Sequence, residues 1–245
     1  MLAASRRRAS APVIDPRLHV WIEAQDVDPG AGTSLVERAH GRTFAGSWTR
    51  DTSIGGLPTI VLAPGSSNYL ASAEAISQFA GETACTMIAC ISHDASGGTQ
   101  VLAELGPDAG STPGTFISYR GVLGGPTYYM AAGLFGDTSL SSYGAVMAGA
   151  SIAPEVWSMR LDLSLASGEA EAMWRNGTRQ SPTAWANPNN GGALSSQRLY
   201  IGARAGTSLF GGWGITSLRI YAGALSDAEL LAAAAAVGAT GGVSW

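Results

Sequence analysis

The stretch that decides the fold is Val-Trp-Ser-Met-Arg-Leu-Asp-Leu-Ser at residues 156–164. Met159, Leu161 and Leu163 alternate with polar residues there. Because successive side chains of a strand point to opposite faces, this alternation predicts a half-buried β-strand. A second apolar segment, 170–174, is followed by Asn176-Gly177, a dipeptide that tolerates the positive φ angles of a tight hairpin turn. The region is therefore predicted to form antiparallel strands.

Short apolar segments of the same kind recur along the chain, each bounded by glycine, proline or polar turn residues. Asp26 to Trp48 and Ser181 to Ser196 are polar and glycine-containing, so we expect two long loops there. Further strands are predicted over residues 18–24, 59–62, 83–91, 99–105, 114–119, 127–132, 178 onward, 199–202 and 214–221.

One helix is predicted near the end of the chain. Ser226 and Glu229 match a capping box. In this motif each of the two side chains accepts a hydrogen bond from the backbone N–H of the other residue. Leu230 to Val237 continue the helix, and Gly238 is expected to close it. Many short strands with a single late helix predict an all-β antiparallel sandwich or barrel.

Composition limits the domain count and the partners. The 245 residues fit one large domain over residues 16–245, preceded by an arm over residues 1–15 that carries Arg6, Arg7 and Arg8. All 14 basic residues are arginine, and the net charge is −4. This surface does not favour nucleic acid, which rewards clustered positive charge. No apolar stretch is long enough to insert into a membrane or to serve as a secretory signal, so we expect synthesis in a cytoplasm without export.

Cys85 and Cys90 have an odd spacing, which places them on opposite faces of one straight strand. Two buried, unpaired thiols are the favoured interpretation, with a disulfide or a reactive thiol as alternatives. The tryptophans Trp157 and Trp174 are interpreted as packing residues.

The last third of the chain resembles the laminin-G-like, concanavalin A-like jelly roll family. The residues that carry the resemblance are the strand beginning at Trp157, the Asn176-Gly177 turn, Leu-Tyr-Ile-Gly at 199–202, Phe-Gly-Gly at 210–212 and Ala-Leu-Ser-Asp-Ala-Glu-Leu at 224–230. A looser match covers residues 17–155. The resemblance implies a two-sheet antiparallel jelly roll sandwich.

The same fold hosts glycoside hydrolases, but the sequence favours a protein that is not an enzyme. The Glu-x-Asp-x-x-Glu run of laminarinase-like members is missing, and Glu169 and Glu171 beside a hairpin turn are interpreted as a solvated edge. His19, His40 and His93 are scattered. No cofactor is predicted, although some family members bind calcium at the rim of the sandwich. Turn aspartates that would serve such an ion are Asp94, Asp108 and Asp137.

Aromatic residues in or next to loops are the candidates for contact with sugar or protein, because exposed rings stack on ligands. Burial in the core is the alternative for each. These candidates are Tyr128, Tyr129, Trp185, Phe210 and Trp213.

Jelly rolls of the resembled family are common appendages of tailed phages. The resulting hypothesis is a virion structural or attachment protein, either a head decoration or spike or a tail-fibre component. It is assembled in the host bacterial cytoplasm, forms homo-oligomers, and docks on other virion proteins through Arg6, Arg7 and Arg8. A host-surface glycan is its expected ligand. The alternative is a bacterial carbohydrate-binding or adhesion module, and a glycan-active hydrolase ranks third.

Overall fold

The computed structural model describes residues 14–52, 56–64, 68–93, 98–107, 114–122, 127–136, 142–149, 153–165, 170–181, 183–184 and 192–245. Within these residues there are sixteen β-strands and one α-helix, which confirms the all-β prediction. Short 3-10 helices lie at Ala24–Asp26 and Ser77–Phe79. The strands, β1 to β16 in chain order, are Leu18–Glu23, Gly30–Val36, Thr43–Asp51, Thr59–Leu62, Leu70–Ser72, Ala84–His93, Gln100–Leu105, Thr115–Val122, Thr127–Phe135, Ser142–Gly149, Glu155–Asp162, Glu171–Arg175, Thr178–Arg179, Thr183–Ala184, Leu199–Ile201 and Trp213–Ala222, and the helix α1 is Asp227–Thr240.

The strands are antiparallel and form the two layers of a jelly roll sandwich. The first layer has the order β13-β12-β11-β6-β16-β4, with β1 also paired to β16, and the second has the order β5-β15-β7-β8-β9-β10-β14. Strand β3 joins the layers, because Phe44 to Gly46 pair with β5 whereas Thr49 to Asp51 pair with β4. Strand β9 lies against β11 across the interior.

The central strand β6 is covered on both faces. Cys85 and Met87 point into the core between the layers, whereas Ile88 and Cys90 point outward to the helix. Both cysteines are buried and free, and their opposite orientation confirms the prediction from their spacing. Burial raises the pKa of each thiol to about 12, so neither is a reactive thiolate near neutral pH.

Helix α1 covers the outer face of the first layer. The capping box between Ser226 and Glu229 is present, as predicted. The helix does not end at Gly238 but continues to Thr240, with Gly241 as its C-cap. Gly238 is buried within the helix, where an added Cβ would lie 2.7 Å from the Val243 carbonyl oxygen. No helix of the described residues has the length and apolarity needed to cross a bilayer.

The prediction of a long loop over Asp26 to Trp48 is wrong, because this range contains the hairpin β2–β3. Strand β2 carries small and polar residues, and Leu35 is its one buried side chain. Its local sequence therefore lacks the apolar alternation of a strand. The hairpin is stabilised instead by β3, whose Phe44 and Trp48 are in the core.

His19 of β1 and His40, between β2 and β3, form a stacked pair. The rings of His19 and His40 stack at a centroid distance of 5.3 Å, with 3.2 Å between the facing nitrogens. Burial lowers the pKa of His19 below its usual 6.5, and the charges of His40 and Arg42 lower it further. The stabilisation is therefore fully present above the pKa of the unfolded chain and is lost as the pH falls.

We expect the free energy of unfolding to decrease as the pH falls below about 6.5. Urea unfolding between about pH 7.5 and about pH 5.5 measures this change. The His19→Gln variant should lose less stability over the same interval, because it has no proton to bind. An equal loss in both proteins would show that His19 is not the responsible group.

Candidate functional site

The partly exposed aromatic side chains are concentrated on one face of the molecule. Among the residues whose side chains the structure describes, the aromatic ones that are not buried are Trp21, Tyr69, Tyr119, Tyr129, Tyr200, Phe210 and Trp245. All except Trp21 and Trp245 lie on the outer face of the second layer or on the loop beside it. We call these five residues, Tyr69, Tyr119, Tyr129, Tyr200 and Phe210, the aromatic face.

The strand register places Tyr119 and Tyr129 together. On β8, Phe116 and Ser118 point into the sandwich, so Tyr119 points outward. Tyr119 and Tyr129 meet edge to face at a centroid distance of 6.1 Å. Gly121 permits the ring of Tyr129 to lie close over β8, because an added Cβ would be 2.1 Å from that ring.

A loop between β15 and β16, residues 202–212, carries the other end of the aromatic face. Leu209 packs against the same small cluster as Tyr119, and the next ring, Phe210, lies 6.2 Å from the ring of Tyr69. Gly206 allows the loop to rest on Tyr69, since a Cβ there would be 2.9 Å from its ring. The loop and the strands therefore form one surface.

Backbone hydrogen bonds fix the shape of this loop. Gly211 donates to the Gly202 carbonyl at 2.8 Å, and Val101 on β7 donates to the Leu209 carbonyl at 3.1 Å. Ala205 and Leu209 have positive φ angles of 52° and 49°. Such angles are unfavourable for residues with a Cβ and persist only where the surroundings impose them.

Glu104 is the residue that holds Ala205 in this conformation. It lies on the outer face of β7, is fully buried, and its Oε2 accepts the Ala205 N–H at 2.7 Å. The guanidinium of Arg204 lies 3.7 Å from Oε1 of the same carboxylate. A buried carboxylate with a donor and a cation beside it anchors the loop to the sheet.

Tyr129 and Phe210, two of the aromatic residues selected from the sequence, lie on this face. Tyr128 and Trp213 do not, because they are on strands and are buried rather than exposed at loops. Tyr128 points inward, where the guanidinium of Arg120 lies 4.3 Å from its ring centroid. The indole N–H of Trp213 donates to the Val101 carbonyl at 2.7 Å in the core.

Of the other predicted positions, some are confirmed, one is wrong, and several lie outside the described residues. Trp157 and Trp174 are buried, which confirms their interpretation as packing residues. Glu171 is also buried, so its assignment to a solvated edge is wrong. Predicted site residues that lie outside the described residues are Arg6, Arg7, Arg8, Asp94, Asp108, Asp137 and Trp185.

Sequence reasoning missed Tyr69, Tyr119, Tyr200 and Glu104. The one available signal for Glu104 was a lone acid within the apolar segment Val-Leu-Ala-Glu-Leu at 101–105. The described part of the chain contains no group of three or more His, Cys, Asp or Glu residues placed to hold a metal ion. The aromatic face therefore offers rings and tyrosine hydroxyls for contact.

Known proteins share the fold of this chain, but no sequence family matches it. No family model matches the chain, and no curated protein matches its sequence. The binding domain of botulinum neurotoxin serotype G superposes with a TM-score of 0.60 and 10% identity, covering 89% of this chain and 50% of that one. The neurotoxin DC binding domain, solved in complex with SialylT, gives 0.59 and 8%, covering 91% and 52%.

A carbohydrate-binding module, CBM40 of the Ruminococcus gnavus sialidase solved with α2,3-sialyllactose, matches less of the chain. Its TM-score is 0.45 at 16% identity, covering 62% of this chain and 83% of the module. The chain spans about half the length of the neurotoxin domains. At these identities the likeness to the two neurotoxin binding domains is one of fold alone.

Proposed function

We propose that this chain is a non-enzymatic carbohydrate-binding domain that holds its glycan on the aromatic face. The observation that carries the proposal is the concentration of partly exposed rings on one outer sheet face, whereas the other Phe, Tyr and Trp side chains that the structure describes, apart from Trp21 and Trp245, are buried. Aromatic rings pack against the apolar C–H faces of sugars, and tyrosine hydroxyls bind sugar hydroxyls. Both kinds of group are present here.

The rigidity of the neighbouring loop supports the same proposal. A surface that is already ordered before binding loses less conformational entropy when a ligand arrives. The loop carrying Phe210 is fixed by backbone hydrogen bonds and by the Glu104 carboxylate. A preformed face of this kind suits a flexible, polar ligand whose affinity per contact is small.

The fold is compatible with this role. The neurotoxin DC binding domain has the same jelly roll and was solved in complex with SialylT, so this architecture supports a binding rather than a catalytic function in that protein. We also propose that the chain is related to laminin-G-like domains, because residues 156–237 resemble them in sequence.

Placement on a virion remains a prediction from the sequence. The arginines expected to dock on other virion proteins lie outside the described residues. Of the two non-enzymatic hypotheses, the aromatic face and the fold shared with a binding domain solved with SialylT favour the carbohydrate-binding module. Glycan binding is common to both.

A glycan array followed by titration calorimetry with the best sugar tests the proposal. Tyr119→Ala and Tyr129→Ala are each expected to weaken binding by about tenfold or more, because each removes one ring of the paired tyrosines on the face. The matched control is Trp245→Ala, which removes a ring that is 50% exposed and packs near Gly177 and Gly238 instead. Circular dichroism confirms that the variants are folded.

Absence of any binding on the array, with a folded protein, would contradict the proposal. Equal weakening by Trp245→Ala and by the tyrosine variants would place the sugar elsewhere.

A further inference from the structure

A groove that the aromatic face does not include runs along the hairpin strand β2. It has a volume of about 440 Å³ and is lined by six consecutive residues of β2, 31–36. Residues 26–28, which follow β1, and Trp48 also line it. Because residues of both side-chain orientations line the groove, it follows the backbone edge of β2 rather than one face of the strand.

This edge of β2 has no partner strand among the described residues. In the described part of the chain, β2 pairs with β3 alone, so half of its backbone N–H and C=O groups point away from the sheet. The side chains at Gly30, Ala31 and Gly32 are too small to cover that backbone. An added strand would lie directly against it over a length of about 20 Å.

One residue that lines the groove, Trp48, carries a buried polar atom with no hydrogen-bond partner. Trp48 is 4% exposed, and its indole Nε1 makes no hydrogen bond. The ring lies over Gly32, where an added Cβ would be 2.0 Å from it. Buried donors in proteins are normally satisfied, so an unpaired indole N–H on a residue that lines a groove favours a ligand that brings an acceptor.

The carboxylates that line the groove favour a positively charged ligand. Its two ionisable lining residues are Asp26 and Asp28, and both are exposed. Arg38 forms an ion pair with Asp26, whereas Asp28 has no such partner among the described residues. Val36 at the end of β2 is 61% exposed and offers an apolar contact. The wall is therefore acidic with an apolar end.

We propose that the groove binds an extended basic peptide segment of a partner protein, which adds as a strand to the free edge of β2. The peptide backbone pairs with β2, as in other cases of strand addition, and its basic side chains contact Asp28. This interaction is separate from the glycan binding proposed above. The domain would thereby hold a sugar and a protein partner at different sites.

The test uses the full chain and a capped, labelled peptide of sequence Thr-Arg-Val-Arg-Val-Arg-Thr, with fluorescence anisotropy as the readout. We expect saturable binding that is about tenfold weaker for the same peptide with N-methylated valines, which cannot donate backbone hydrogen bonds. Asp28→Arg should weaken binding of the unmodified peptide by about tenfold or more. The matched control is Glu74→Arg, which reverses an exposed carboxylate outside the groove lining.

Three outcomes would overturn the proposal. The first is no saturable binding by the wild-type chain. The second is equal affinity for the N-methylated peptide or equal weakening by Glu74→Arg, which would indicate charge attraction without strand pairing. The third is displacement of the peptide by the sugar that binds the aromatic face, because the two ligands would then share one site. Retention of peptide binding in Tyr129→Ala supports two separate sites, even if no glycan is found.

Discussion

Replacement of Glu104 by alanine is expected to reduce both stability and glycan affinity. The variant removes the acceptor of the Ala205 N–H, a donor that is half-buried beside the sheet. Losing a hydrogen bond to a charged group costs about 1.5–3 kcal/mol. Because Ala205 then has no partner that holds its positive φ angle, the loop carrying Phe210 should become mobile.

Urea unfolding measures the stability of Glu104→Ala, and calorimetry measures its affinity for the glycan. We expect about a tenfold loss of affinity, since the Phe210 end of the aromatic face is no longer held in place. The matched control is Glu104→Gln, whose amide oxygen still accepts the Ala205 N–H but carries no charge for Arg204. Similar losses in the two variants would assign the effect to the ion pair with Arg204 instead of the hydrogen bond.

Replacement of Gly46 by alanine is expected to be the most destabilising single change considered. Gly46 lies in β3 where it pairs with Leu70 of β5, at the junction of the two layers. An added Cβ would lie 1.7 Å from the Tyr69 carbonyl oxygen, and that oxygen already accepts the Ser47 N–H at 3.1 Å. The obstructing atoms belong to backbone, so β3 and β5 must separate.

We expect Gly46→Ala to lower the free energy of unfolding by about 3 kcal/mol or more, because packed backbone cannot move aside as a side chain can. Chemical denaturation measures the loss, and the thermal midpoint follows it. Gly41→Ala is the control: its Cβ would meet nothing within 4 Å, although its φ of 70° is unfavourable for alanine. A loss in Gly46→Ala no larger than in the control would contradict the close approach of β3 and β5.

Elements whose sequence signals are local were predicted correctly. The alternation in 156–164, the Asn176-Gly177 turn and the capping box at Ser226 and Glu229 each depend on neighbouring residues, and each is present in the structure. Cys85 and Cys90 were also placed correctly, because strand periodicity alone decides their faces. The hairpin β2–β3 was missed, since the small residues of β2 carry no apolar period.

The aromatic face could not be predicted from local sequence patterns. Tyr128 and Tyr129 are adjacent in sequence, and both were candidates, but the sheet buries one and exposes the other on the opposite face. Tyr119 and Phe210 are far apart in the chain and reach one surface only because β7 and β8 pair while the 202–212 loop bonds to Val101. The identity of a residue's cross-strand neighbours is not contained in its own segment.

The sequence by itself determined that this protein is built from strands with one capped helix, because hydrophobic period and capping are short-range properties. The tertiary structure decided which aromatic side chains remain partly exposed, why Glu104 is buried, and which strand edge has no partner among the described residues. Those features depend on pairings between distant segments, and the free energy of each pairing is set by the whole packed sandwich.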